Sequence, residues 1–214
     1  MVIRRTANAG VLLTLDGVRI LLDGVCKELS PYLGTPEHIR EELLCCVPDI
    51  LAFTHGHKDH FDRSFAQSLY EKTLRSVLGP EDILRQGMSE KPVRVGNTAV
   101  TPVKTRHIGK AGLDTRHMSF RIEGSKTVLF TGDAAPTQFK DYPKADVLIA
   151  PYAYAITPGG WQMAQKLADT VVIVHMPDRQ NDPQGLWTAL EQTTGQGSGV
   201  KLLLPDINEE LQLY

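Results

Sequence analysis

Apolar positions in this chain gather into short runs bounded by glycine, proline and aspartate, and most of the runs predict strands. Val11–Leu15 and Val18–Leu22 flank Asp16-Gly17, a pair tolerant of positive φ, so the chain opens on antiparallel strands joined by a tight hairpin. Thr35, Pro36 and Glu37 read as a capped helix start, with apolar residues at helical spacing to about Cys46 and Pro48 as the stop. A strand over 49–54 precedes a helix over Arg63–Thr73, with Phe65, Leu69 and Leu74 on one face. Short strands are expected at Val77–Leu78, Val93–Val95 and 99–105, with a brief helix near 81–85. Residues 118–122 and 127–131 pair across the turn at Gly124-Ser125. The continuous apolar runs 147–150 and 171–174 suit strands buried on both faces, and helices over 160–168 and 184–193 separate them from a last strand over 200–204.

Strands dominate both halves, each half closes in strand and helix alternation, and no proline-rich or serine-rich linker divides them. The expectation is an α/β sandwich of sheets covered by helices, with residues 1–214 forming one domain of a size that builds a substantial core. A net charge of −2 supplies no basic field for nucleic acid or anionic membranes, which makes nucleic acid an improbable partner. The first ten residues lack the apolar centre of a signal peptide, and nowhere do eighteen apolar residues run together, so a soluble cytoplasmic protein is expected. Cys26, Cys45 and Cys46 form neither an even disulfide set nor a paired metal knuckle; reduced, partly buried thiols are expected. Oligomeric state is not legible.

The chemistry concentrates in Thr54-His55-Gly56-His57-Lys58-Asp59-His60, which places three imidazoles and a carboxylate within six positions directly after an apolar strand. Three later segments repeat the arrangement: 103–106 leads into His107, 129–132 into Asp133, and 171–174 into His175. Four strand ends would then converge at one edge of the sandwich, where loop residues on a rigid sheet are both accessible and pre-organised. Imidazole nitrogen and carboxylate oxygen suit borderline divalent ions, and five histidines argue against an all-oxygen calcium or magnesium site. Zinc is the first choice, with manganese or iron as alternatives.

On His55, His57, Asp59, His60, His107, Asp133 and His175 the chain resembles the metallo-β-lactamase superfamily, over nearly its whole length. The resemblance implies a four-layer αββα sandwich with mixed sheets. It further implies that His55, His57 and His107 hold one metal, that Asp59, His60 and His175 hold a second, and that Asp133 bridges them. Two ions so placed can share one hydroxide and polarise the electrophile it attacks; Asp59 could also orient that hydroxide. The expected activity is hydrolysis of an ester, lactone or phosphodiester of a small, possibly anionic substrate. Asp133, standing where one class of zinc β-lactamases uses cysteine, and its short flanks argue against those enzymes and against nucleic-acid-cutting relatives. The compact length, the hairpin start and Thr131-Gly132-Asp133 are most similar to the sugar-phosphate lactonase-like branch. An iron oxidoreductase on the same sandwich and a non-catalytic metal-binding protein are the rivals; diiron relatives tend to carry Glu where His57 stands.

Other residues have blander readings beside functional ones. His117 competes with His107 as third ligand of the first metal but precedes its strand where the other ligands follow theirs, so His107 is preferred and His117 supports the ligands from behind or is exposed. His38 lies among charges on a helix and is read as solvated. Lys58, Arg106, Lys110, Arg116 and Arg179 could clamp phosphate or carboxylate, and each could equally be ordinary surface charge. Tyr152 and Tyr154 could line a pocket or donate to an oxyanion, or pack in the core. The glycine-rich 195–199 follows a helix and precedes a strand, the reverse of a dinucleotide-binding order, and reads as a loop.

Overall fold

Side-chain parity divides this structure into layers. In the computed structural model, which describes residues 1–73, 77–83, 88–109, 114–194 and 199–214, alternate residues of the central strands face different cores. Leu13, Ile20, Leu22, Val128, Phe130, Val147, Ile149, Val172 and Val174 meet in the space between two sheets. Their immediate neighbours turn outwards. Leu12, Leu21 and Leu51 pack on Ile39, Leu43, Ala66 and Leu69, from helices α1 (Glu37–Cys45) and α2 (Arg63–Thr73). On the other side Leu129, Leu148, Val171 and Ile173 pack on Tyr154, Ala164, Leu167 and Leu190, from α3 (Ala153–Ile156), α4 (Pro158–Leu167) and α5 (Leu186–Thr194). A strand's two-residue period therefore generates four layers, αββα, as expected.

Each sheet has seven strands among the described residues. The first carries β1 (Val2–Arg5), β2 (Val11–Leu15), β3 (Val18–Leu22), β4 (Ile50–Ala52), β5 (Val77–Leu78) and β6 (Met88–Ser89) in chain order, with β14 (Glu210–Gln212) beyond β1. The second runs from β7 (Val93–Val95) through β8 (Thr98–Arg106), β9 (Arg116–Glu123), β10 (Thr127–Phe130), β11 (Ala145–Pro151) and β12 (Ala168–Val174) to β13 (Lys201–Leu203). Both mix directions alike: β14-β1-β2-β3 and β7-β8-β9-β10 are antiparallel, whereas β3-β4-β5-β6 and β10-β11-β12-β13 are parallel. In open α/β sheets, ligands bind beyond the carboxyl ends of such parallel strands.

The hairpin at Asp16-Gly17 forms as expected, with φ of 52° and 80°. Several expectations need correction. Thr35 does not cap α1: Pro36 occupies the cap with no side-chain hydrogen bond, while Thr35 Oγ1 accepts the Cys26 N–H at 3.0 Å and donates to Gly24 O at 3.3 Å, tying down the loop before the helix. Asp62 caps α2 instead, its Oδ1 accepting the amides of Ser64 and Phe65. Cys26 is buried, whereas Cys45 and Cys46 are exposed. Residues 81–83 form a turn; Leu74 and the rest of the helix expected near 81–85 lie outside the described residues, as does most of 195–199. The short strands β1, β6 and β14 carry too few apolar residues to announce themselves. No helix among the described residues is long and apolar enough to cross a membrane.

Helix α1 is fastened to the sheet by a two-pronged ion pair, Arg4 Nη1 and Nη2 donating to Glu42 Oε2 and Oε1 at 2.8 and 2.7 Å. The hydrogen bonds from Arg4 hold the Glu42 carboxyl below the usual glutamate range. A carboxylate with a depressed folded-state pKa stabilises the fold above its unfolded pKa and loses that contribution as pH falls through the folded value. Glu42→Gln should therefore lower the melting temperature at neutral pH, and the gap to wild type should close between about pH 5 and about pH 3. A gap that stays constant across that range in thermal melts would assign the effect to packing instead.

Candidate metal centre

Four strand ends deliver the histidines and the acid predicted to meet. β4 leads into His55, His57, Asp59 and His60, β8 into His107, β10 into Asp133 and β12 into His175. Their ligand atoms fall into compact groups: those of His55, His57 and His107 lie within 4.8 Å of one another, as do those of Asp59, His60 and His175. Asp133 joins the groups. Its Oδ2 sits 3.3 Å from His60 Nε2 and 3.4 Å from His107 Nε2, and its Oδ1 is 2.8 Å from His175 Nδ1.

Hydrogen bonding behind the rings fixes which nitrogen faces the centre. His60 Nδ1 donates to Asp23 Oδ2 at 2.9 Å, and His107 Nδ1 donates to the Ile108 carbonyl at 2.7 Å. Thr54 Oγ1 gives its proton to Asp23 Oδ2 at 2.6 Å, so the 2.9 Å contact with His55 Nδ1 is a donation from the imidazole. In each ring Nδ1 is anchored and the Nε2 lone pair is turned inward, the arrangement by which outer carboxylates and carbonyls orient metal-binding histidines. Buried Nε2 atoms of His60, His107 and His175 have no hydrogen-bond partner, although each lies within 3.4 Å of a carboxylate oxygen. Buried imidazole nitrogens facing buried carboxylates at non-bonding angles are costly unless a cation sits between them, so the donor set fits divalent ions with nitrogen and oxygen preference.

Electrostatics agrees. Burial opposes ionisation of Asp133, yet His175 and His60 hold its carboxyl well below the usual range. Burial likewise works against a charge on His60 and His175, but Asp133 outweighs it and raises both rings, helped by Asp23 at His60 and by Asp59 at His175. His55 is pushed well down by burial and by neighbouring His60. The carboxylates demand positive charge, which protons supply in the metal-free chain and which an arriving cation would displace.

His117 is settled by its partners. Its Nε2 accepts the Asp133 N–H at 3.1 Å, and its Nδ1 contacts Thr105 Oγ1 at 2.8 Å. Thr105 in turn meets Ser119 Oγ, which donates to the Thr131 carbonyl, so protons run outward from the ring along a closed relay. Burial pushes its pKa down to about 3, keeping the ring neutral. Neither nitrogen is left for an ion; His117 holds the backbone of Asp133.

No protein-family model and no curated protein sequence matches the chain. Solved structures do. An isothiocyanate hydrolase from Delia radicum gut bacteria superposes with a TM-score of 0.74 at 17% identity, over 100% of this chain and 99% of that one. A possible metal-dependent hydrolase from Veillonella parvula gives 0.75 at 16% identity, over 100% and 99%. The metallo-β-lactamase fold protein YhfI from Bacillus subtilis gives 0.64 at 16% identity, over 99% and 98%. This chain has the metallo-β-lactamase fold. Two seven-stranded mixed sheets between helical layers, with His and Asp side chains at one edge, are the architecture the sequence led us to expect.

Within the metallo-β-lactamase fold, the expected substrate contacts fare unevenly. Tyr152 lies at the site, its ring 6.1 Å from that of His175. Tyr32, which sequence reasoning missed, is closer at 4.8 Å. Burial, with Tyr152, Asp59 and Asp133 nearby, raises the Tyr32 phenol, so it remains a proton donor. Lys58 is exposed at the tip of the histidine loop, and its carbonyl accepts the Lys27 N–H at 2.8 Å. Arg106 is exposed, its peptide groups engaged with Gln138. Arg116 is spent on Glu90 at 2.8 Å, and Arg179 on Glu191 and Asp206 while lying 3.7 Å over Trp187, so both follow the surface-charge reading. Lys110 lies outside the described residues. Tyr154 is core, its hydroxyl donating to Ala134 O, and His38 is exposed. Asp23 was also missed, although it follows the apolar run of β3 as the ligands follow theirs.

Gly132 lets the Asp133 turn approach the histidine loop. Its φ is +50°, and a Cβ there would stand 2.5 Å from Thr54 Cγ2. Gly132→Ala should destabilise the metal-free protein by about 1–3 kcal/mol in urea titrations, from backbone strain and the displaced Thr54. An unchanged midpoint would show that the turn relaxes freely.

Proposed function

We propose that this chain is a hydrolase that uses two divalent ions, with zinc as the first choice, to cleave an ester, lactone or phosphodiester bond of a small substrate. The observation that carries this reading is the Asp133 carboxylate, whose Oδ2 lies between the otherwise unpartnered Nε2 atoms of His60 and His107, one from each ligand group. His55, His57 and His107 would hold one ion, Asp59, His60 and His175 the other, and Asp133 would touch both. When bound, such a pair acidifies a water, polarises the electrophile and neutralises the leaving oxygen. The structural neighbours named as hydrolases support the same class.

The chain's own residues supply the rest. Asp59 is buried, faces His175 Nε2 at 3.2 Å, and is held ionised against burial by that ring and by His60. It is placed to accept a proton from a water activated beside it. Tyr32 and Tyr152 present phenols next to His175 and can donate to oxygen charge developing on the substrate. Asp23 orients His60 directly and His55 through Thr54, and His117 holds the Asp133 amide. Of the expected contacts among the described residues, Lys58 and Arg106 are exposed cations available to an anionic substrate.

Protein stripped with chelator and reloaded with zinc should bind two equivalents by elemental analysis and hydrolyse p-nitrophenyl esters or bis(p-nitrophenyl) phosphate. Asp133→Ala should bind fewer ions and lose about 100-fold or more in turnover, the equivalent of a few kcal/mol of lost charge stabilisation, while keeping its circular dichroism. Full metal content and activity in that variant would overturn the assignment. Native iron with oxygen consumption would favour an oxidoreductase.

A further inference from the structure

Arg5 is a buried cation that the proposed chemistry does not use. It is 3% exposed, and its guanidinium makes its hydrogen bonds to carbonyl oxygens rather than to a carboxylate. Nε reaches Ala7 O and Asn8 O at 3.1 and 3.2 Å, Nη1 reaches Pro205 O at 3.0 Å, and Nη2 reaches Asn8 O and Met176 O at 2.9 and 3.4 Å. Burial lowers its pKa only to about 10, so it keeps its charge at neutral pH. Removing a full cation from water is expensive, and the fork of donors here ties together three chain segments, at residues 7–8, 176 and 205.

Two of those carbonyls, of Asn8 and Met176, lie against the backbone of His175. The Asn8 carbonyl that Arg5 grips twice also accepts the His175 N–H at 2.8 Å. Met176, whose carbonyl Arg5 also holds, is the next residue. His175 itself sits at φ +58°, a left-handed conformation that costs a non-glycine residue about 1–3 kcal/mol and persists only where surroundings impose it. The ring is thus aimed by a strained backbone, and the strained backbone is held by Arg5 acting through Asn8 and Met176. The guanidinium makes none of its hydrogen bonds to His55, His57 or His107, which arrive on β4 and β8.

We propose that Arg5 is a positioning residue for the second ion alone: its guanidinium fixes His175 in ligating orientation and thereby sets the affinity of the Asp59, His60 and His175 group. This rests on the two-ion reading above. A lysine keeps the charge but cannot span four carbonyls, so Arg5→Lys separates the fork from the charge.

The experiment is stepwise zinc affinity by chelator competition, well below the melting temperature. Wild type should bind two equivalents; if it does not, the two-ion reading fails and this inference with it. Arg5→Lys should bind the first equivalent as wild type does and the second about 10–100-fold more weakly. His175→Ala should show the same pattern, and the double variant should weaken the second site no further. Two wild-type affinities, or equal loss at both sites, in folded Arg5→Lys would overturn the proposal even if the melting temperature falls. Should Arg5→Lys not fold, hydrogen exchange on wild type decides. The second zinc equivalent should slow exchange at the His175 amide and at Arg5 Nε–H while leaving the His107 amide unchanged, and no slowing would overturn it.

Discussion

Three carboxylates, Asp23, Asp59 and Asp133, are buried at one edge of this sandwich, and the local structure is arranged around the positive charge they require. Carboxylates so far from water persist only when paired and hydrogen-bonded. Here imidazoles surround them: His60 lies between Asp23 and Asp133, and His175 between Asp133 and Asp59. The same carboxylates that hold the rings also raise His60 and His175, so that positive charge is favoured at this edge. Strand ends, turns with positive φ and the Thr105–Ser119 relay all bring groups to this one electrostatic problem.

Much of this was legible in the sequence because strands announce themselves through two-residue parity and ligands through their place after a strand. Val171 to Val174 read as a doubly buried strand, and its alternate residues do face two cores. The rule that picked out His107, Asp133 and His175 would also have found Asp23, had it been applied to the end of β3. What escaped was set by tertiary contacts. Tyr32 lies on a loop with no periodicity, and it reaches His175 because the Asp178 N–H ties Pro31 O at 2.9 Å. The role of His117 depends on the direction of a backbone amide sixteen residues away, which no spacing encodes. Thr35 looked like a helix cap because its residue type suits one, but its hydroxyl is spent on the loop at Cys26. Arg116 stands beside His117 and Arg179 soon after His175 in sequence, and both turn to acids elsewhere.

The two halves of the chain solve the site in matching ways. Each sheet passes from antiparallel to parallel pairing, and candidate ligands leave both: His55 to His60 from the first, and His107, Asp133 and His175 from the second. Neither of the two groups proposed to hold the ions comes from one sheet, since His107 joins His55 and His57 while His175 joins Asp59 and His60. Assembly of the centre therefore requires the inter-sheet core to form, which ties chemistry to packing.

The parity of the central strands has a consequence for how such a chain can vary over time. In β10, Val128 and Phe130 serve the inter-sheet core while Leu129 serves the helical side, and Asp133 follows within three residues. Inserting or deleting one residue there would exchange the two faces and rotate the acid away from its imidazoles. Changes in length should accordingly be tolerated at the far ends of these strands and forbidden between core and ligand, so that lineages diverge by remodelling rims while the spacing from apolar run to ligand stays frozen.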